Sequence, residues 1–129
     1  MIFSGERNGI SHIEMIRNGT KTQTRRMSNI YEIGKSYAVQ PGRGKKAVHD
    51  IRIRIINKWP EGYAPREKNE WPSYPISTGD AEMEGGYTPR EYEELFERMY
   101  PGWLAGPLRW AYEFEVVKKA CTRRYFKSQ

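Results

Sequence analysis

The segment Gly19-Thr20-Lys21-Thr22-Gln23-Thr24-Arg25-Arg26 gathers threonine hydroxyls, a lysine and two arginines into one short run. A threonine hydroxyl is a weak nucleophile at neutral pH, so acyl chemistry at Thr24 needs a nearby base. Lysine serves as one only where burial or a cationic neighbour lowers its pKa. Arg25 and Arg26 are such neighbours in sequence, and an arginine here is also suited to holding a phosphate or carboxylate bidentately. A carboxyl group in the same cleft could shuttle a proton or orient the lysine. Each has a plainer reading. Taken alone, Lys21 is a solvated surface residue, Thr24 a strand former, Arg26 the partner of a local acid, and Glu82 with Glu84 an exposed acidic turn.

Other chemistries are poorly supported. The single cysteine, Cys121, excludes an internal disulfide and cannot build a zinc site alone, and His12 and His49 are too far apart to suggest a chelate. Metal catalysis and a cofactor are therefore not expected. No apolar run approaches the roughly 18 residues of a membrane helix. The chain opens Met1-Ile2-Phe3-Ser4-Gly5-Glu6 rather than with a basic and then apolar signal. The expected location is the cytoplasm, with no membrane partner. The net charge of +6 implies attraction to polyanions. Arg43, Lys45 and Lys46 are the clearest contributors in the first half, Arg123 and Arg124 in the tail, although single basic clusters are commonly just solvated.

The elements that must position these residues follow from local signals. Ser11 and Glu14 have capping-box spacing, so a short helix with Ile13 and Ile16 on its apolar side is predicted to start there and to stop at Asn18-Gly19. Thr22 and Thr24 then favour an emerging strand. On an ideal strand Thr22, Thr24 and Arg26 share a face that Lys21 does not; the Gly19 helix exit allows Lys21 to sit on the preceding turn instead, free of the pleat. Tyr37 to Gln40 reads as a strand, and Pro41-Gly42-Arg43-Gly44 as a basic loop. Residues 48 to 56 are the clearest strand, because Ile51, Ile53 and Ile55 alternate with Arg52 and Arg54. Prolines and glycine from 59 to 75 predict a long irregular loop carrying Trp59 and Trp71, either of which could stack on a base or pack beneath the loop. Ser77 caps a helical turn that Gly85-Gly86 ends. Thr88-Pro89-Arg90-Glu91 starts a stronger helix whose Tyr92 and Phe96 face the core. Trp110, Tyr112, Phe114 and Val116 then mark a final strand with an inward aromatic face, and the tail after Lys118 reads as surface. With 129 residues and no repeat, residues 1–129 are expected to form a single α+β domain.

A helix ending in glycine, a Lys-Thr-x-Thr-x-Arg run, a turn into a strand, an acid before a glycine turn and an amphipathic helix ending Tyr100-Pro101-Gly102 together resemble the ASCH-domain family. The resemblance covers roughly residues 11 to 40, 48 to 58 and 77 to 117. It implies a small PUA-like, mixed and mostly antiparallel β-barrel with flanking helices, and association with RNA or modified nucleosides. The compact bacterial members that look most similar are amidohydrolases that remove the acyl group from the exocyclic nitrogen of acetylated cytidine. Their motif, carried over residue by residue, implies Lys21 as the catalytic lysine, Thr24 as the nucleophile and Glu84 as the acidic partner, with Glu82 as the competing match. Thr22, Arg26, Arg43, Lys45 and Lys46 are the expected substrate or RNA contacts. A non-catalytic RNA-binding module and, further off, a ribonuclease are the alternatives: the positive charge favours RNA, the intact Lys-Thr-x-Thr run favours the hydrolase.

Overall fold

The computed structural model describes residues 1–62, 75–103 and 108–118. Its elements follow in the order β1 (Glu6–Arg7), β2 (Ile10–Ser11), α1 (His12–Arg17), β3 (Gln23–Arg26), β4 (Ser36–Ala38), β5 (Ile51–Glu61), α2 (Thr78–Met83), α3 (Pro89–Met99) and β6 (Arg109–Lys118). Start and stop signals act where the sequence predicts them. The side chains of Ser11, Ser77 and Thr88 accept from the amides of Glu14, Asp80 and Glu91, satisfying orphan donors at three helix starts. Only Thr88 and Glu91 form the reciprocal box, because the Glu14 carboxylate turns instead to Arg17. Gly19 leaves α1 at φ +84°, in the left-handed region that glycine enters freely.

The main sheet has the strand order β3-β6-β5-β4, all antiparallel, and β1 and β2 form a separate hairpin across Asn8-Gly9. The expected α+β class holds, but the expected barrel does not: β3 and β4 are open edges and the described sheets do not close. Both edge strands are short, and the chain start occupies the space between them. Ile2 bridges Gln40 in parallel beyond β4, while the Arg26 guanidinium, from β3, donates to the Ile2 carbonyl at 2.6 Å. A side chain thus spans the gap that ladder hydrogen bonds would have to cross.

The expected irregular segment from residue 59 is also corrected. β5 continues through Trp59 and Pro60 to Glu61, paired to Ala111, Trp110 and Arg109 of β6, with a register shift between Ile55 and Asn57. Long-range pairing with β6 overrides the local proline signal. Proline is tolerated because β4 pairs only with Arg52 to Arg54, leaving this end of β5 without a strand partner on one side among the described residues. The strand begins at Ile51 rather than Val48, and Asp50 receives two hydrogen bonds from Arg17. Trp71, Cys121, Arg123, Arg124 and the rest of the tail lie outside the described residues.

Two apolar clusters sandwich the sheet. On one face Ile51, Ile53 and Ile55 meet Tyr112, Phe114, Val39, Ile13, Ile16 and Phe3. Each such aliphatic or aromatic side chain contributes about 1.5–3 kcal/mol by leaving water. On the other, Tyr87, Tyr92 and Phe96 gather with Ile76, Ala81 and Trp103. Of the rings expected in the core, Tyr92, Phe96 and Phe114 are buried, whereas Trp110 is half-buried.

Candidate active site

Lys21 is fixed by backbone before its side chain does anything. Its amide donates to the Met15 carbonyl of α1, the next amide, of Thr22, donates to Met83 of α2, and the Thr22 carbonyl accepts from Phe114 of β6. The lysine therefore sits on the turn between α1 and β3, as the Gly19 helix exit allows, with its side chain directed inward and only 3% exposed. There Nζ donates to Glu84 Oε1 at 2.7 Å and to the Glu84 carbonyl at 2.9 Å. Glu84 caps α2 in helical geometry, after which Gly85 and Gly86 turn away at φ +134° and +89°. That reversal leaves the carboxylate buried beneath the cleft. Glu82, two residues earlier, is exposed.

The pair is one end of a longer chain of charges. Glu84 Oε2 accepts from Arg25 Nη1 at 2.9 Å, and Arg25 grips Glu61 through Nε and Nη2 at 2.9 and 2.8 Å. Glu61 accepts from Arg109 Nε at 3.0 Å, and Arg109 grips Glu93 with two bonds of 2.6 Å. Lys21, Glu84, Arg25, Glu61, Arg109 and Glu93 are all buried. Indole N–H groups of Trp59 and Trp103 complete Glu61 and Glu93. Alternation of sign is what makes burial tolerable, since an ion removed from water must recover its solvation from fixed partners.

Above this chain lies a cleft of about 340 Å³. It is lined by Lys21, Thr24, Arg25, Arg26 and Glu84, by Ile2 to Glu6 and His12, and by Tyr87, Tyr92, Leu95, Met99 and Tyr100. Lys21, on the turn, and Thr24, on the edge strand β3, both line the cleft. Thr24 Oγ1 accepts from Arg26 Nε at 3.2 Å. The Lys21 amine, by contrast, bonds Glu84 and not Thr24.

Burial pushes the Lys21 amine below the ordinary lysine range; the charge and hydrogen bond of Glu84 oppose this, and Arg26 and Arg25 add to it. Burial works against ionisation of Glu84, but the charges of Lys21 and Arg25 outweigh it and hold the carboxyl below its usual range. For Arg25, desolvation is overcome by Glu61 and Glu84, so its charge is permanent. His12, whose Nε2 lies 3.1 Å from the Tyr87 hydroxyl, is lowered to about 4, first by burial and then by Lys21.

The structure thus brings Lys21, Thr24, Arg26 and Glu84 together. Thr22 is half-buried and serves the backbone links described above, and Arg43, Lys45 and Lys46 are exposed and do not line the cleft. Trp59 neither lines the cleft nor closes over it: its ring packs 5.7 Å from the Arg25 guanidinium. Sequence reasoning missed Glu61, Glu93 and Arg109, and did not place His12, Tyr87 or Tyr92 at the cleft. One signal was available, because Glu93 falls on the apolar side of α3 between Tyr92 and Phe96, where an unpartnered carboxylate would be costly.

No family model and no curated protein sequence matches this chain. Its fold is similar to that of the ASCH domain from Lactobacillus crispatus JV V101, with a TM-score of 0.60 at 15% identity over 92% of this chain and 80% of that one. A DUF984-family protein from Enterococcus faecalis V583 superposes with a TM-score of 0.56 at 20% identity, over 81% of this chain and 66% of its own. The chain has the ASCH-domain fold. Among the described residues no helix is long and apolar enough to cross a membrane.

Removing one partner from the buried chain should be costly. Glu84→Ala is expected to lower unfolding free energy by about 3–5 kcal/mol in urea titrations, and a double-mutant cycle with Lys21→Met to show coupling above about 1 kcal/mol. His12 gives a signed pH effect. In the unfolded chain its imidazole titrates near the ordinary value of about 6.5, whereas folded it holds out to about 4. Between those values the unfolded state binds the extra proton, so stability falls as pH drops through that window. The thermal midpoint of His12→Gln should therefore depend less on pH between about 4 and 6.5 than that of the native chain.

Proposed function

We propose that the protein is an amidohydrolase that deacylates cytidine-type nucleosides acylated on the exocyclic nitrogen. The observation that carries this reading is the buried Lys21 amine, lowered in pKa and tied to Glu84 in the cleft that Thr24 also lines. The ASCH-domain fold and the Lys-Thr-x-Thr-x-Arg run add to it.

In this mechanism the neutral Lys21 amine takes the proton from Thr24 Oγ1 as that oxygen bonds to the acyl carbon. The tetrahedral intermediate collapses by breaking the carbon–nitrogen bond, and the leaving nitrogen takes the proton back from Lys21. Water then attacks the threonyl ester and gives a proton to Lys21; the bond to Thr24 Oγ1 breaks as Lys21 returns that proton to the threonine oxygen, and the carboxylic acid departs. Substrate must draw Lys21 partly from Glu84, since both hydrogen bonds from its amine now go there. Glu84 holds the lysine between steps and stabilises its protonated form. The Arg26 guanidinium, already on Thr24 Oγ1, stabilises the developing negative charge.

A second reading, an RNA-binding module, is favoured by the net charge of +6 and by the exposed side chains of Arg43, Lys45 and Lys46. Such a module would bind with steep salt dependence and turn nothing over.

Incubation of the purified protein with acetylated cytidine, followed by chromatography, separates the two readings. Turnover is expected, with losses of at least about a hundredfold in Thr24→Ala and Lys21→Ala. Because the neutral amine is the base, kcat/KM should rise with pH to a plateau, with its midpoint below the ordinary lysine range. Full activity in both variants would contradict the mechanism, as would steeply salt-dependent RNA binding without deacylation.

A further inference from the structure

The cleft holds a hydroxyl that the protein leaves unanswered. Tyr92 is only 3% exposed, and its ring is fixed from several sides. Tyr87 packs edge-on with centroids 5.7 Å apart, Phe96 lies at 6.1 Å, and the guanidinium carbons of Arg25 and Arg109 are 5.9 and 5.5 Å from the ring centre. No described residue hydrogen-bonds its hydroxyl, yet no buried side-chain polar atom among the described residues is both sealed from solvent and unpartnered. The oxygen therefore reaches the cleft that Tyr92 lines together with Lys21, Thr24 and Glu84.

The geometry points to Tyr92 as a ligand-contacting specificity residue whose hydroxyl donates to a carbonyl oxygen of a bound pyrimidine nucleoside. This rests on reading the cleft as the amidohydrolase site, and goes beyond it by giving a role to a residue outside the Lys-Thr-x-Thr-x-Arg run. The chemistry selects an acceptor. Burial keeps the phenol well above its usual pKa, so it stays a neutral donor. An acylated cytidine presents two carbonyl oxygens, one on the ring and one on the acyl group. A ligand that covered the hydroxyl without offering an acceptor would strand a buried polar group, so its absence is penalised as well as its presence rewarded.

Tyr92→Phe removes that oxygen and little else. The test is calorimetric titration of acetylated cytidine and of cytidine into Thr24→Ala protein, with and without Tyr92→Phe, alongside turnover in proteins that retain Thr24. Affinity for acetylated cytidine is expected to fall roughly tenfold while the thermal midpoint stays unchanged, because no protein hydrogen bond is lost. An equal fall for cytidine identifies the ring carbonyl as acceptor, and unchanged cytidine affinity identifies the acyl carbonyl; both support the inference. Undiminished affinity, no binding of either nucleoside, or a markedly lowered midpoint overturns it. A kcat/KM equal in Tyr92→Phe and native protein overturns the inference and leaves the hydrolase reading standing. A tenfold binding loss in a protein that never deacylates does the reverse.

Discussion

Charge alternation beneath the sheet is the constraint on which the site depends. Lys21, Glu84, Arg25, Glu61, Arg109 and Glu93 run from the turn after α1 through α2, β3, β5 and β6 to α3, each bonded to the next. None could be buried alone. A carboxylate or ammonium stripped of water costs several kcal/mol even after relaxation, and fixed opposite charges with complete hydrogen bonding offset that cost. Every strand of the sheet except β4 and two of the three helices contribute or cap a member, so the relative placement of these elements and the charge network determine one another. Any shift of α2 or α3 would strand a charge, so the ion chain penalises alternative placements of those helices.

The site inherits its properties from that chain. Arg25 is held on both sides by carboxylates and stays charged, so Glu84 is shared between a permanent cation and Lys21. Desolvation then acts on the lysine, the member of the chain most able to release a proton. Thr24 sits apart, on the opposite face of β3, with its oxygen held by Arg26. Two chemically distinct neighbourhoods, one buried and ionic and one open to the cleft, meet along the free edge of a single strand.

The sequence made the local parts legible and the long-range ones illegible, for a physical reason. Capping residues, Gly19, the Ile51-Ile53-Ile55 alternation and Thr88-Pro89 report on their own neighbourhoods, and each produced its element. A turn position for Lys21 was open to it through the Gly19 helix exit, and of the two candidate acids it is Glu84 that is buried and Glu82 that is exposed. Pro60 misled because its cost is set by whether a strand lies on its far side, which depends on where β4 stops. Barrel closure failed likewise, through contacts between the chain start and residues 26 and 40. Glu61 and Arg109 carry no local signal of burial, since nothing near either in sequence announces the other. The ASCH-domain resemblance supplied what local reading lacks, and the solved structures support it at the level of fold.

The central claim is that the buried ion chain holds Lys21 as an amine ready to give up its proton. Side-chain nitrogen NMR of the lysines across alkaline pH, with Lys21 assigned by substitution, measures this directly. The account requires the Lys21 amine to titrate below the ordinary lysine range in the folded protein. An amine that titrates at or above that range would mean that Glu84 dominates burial, and would contradict it.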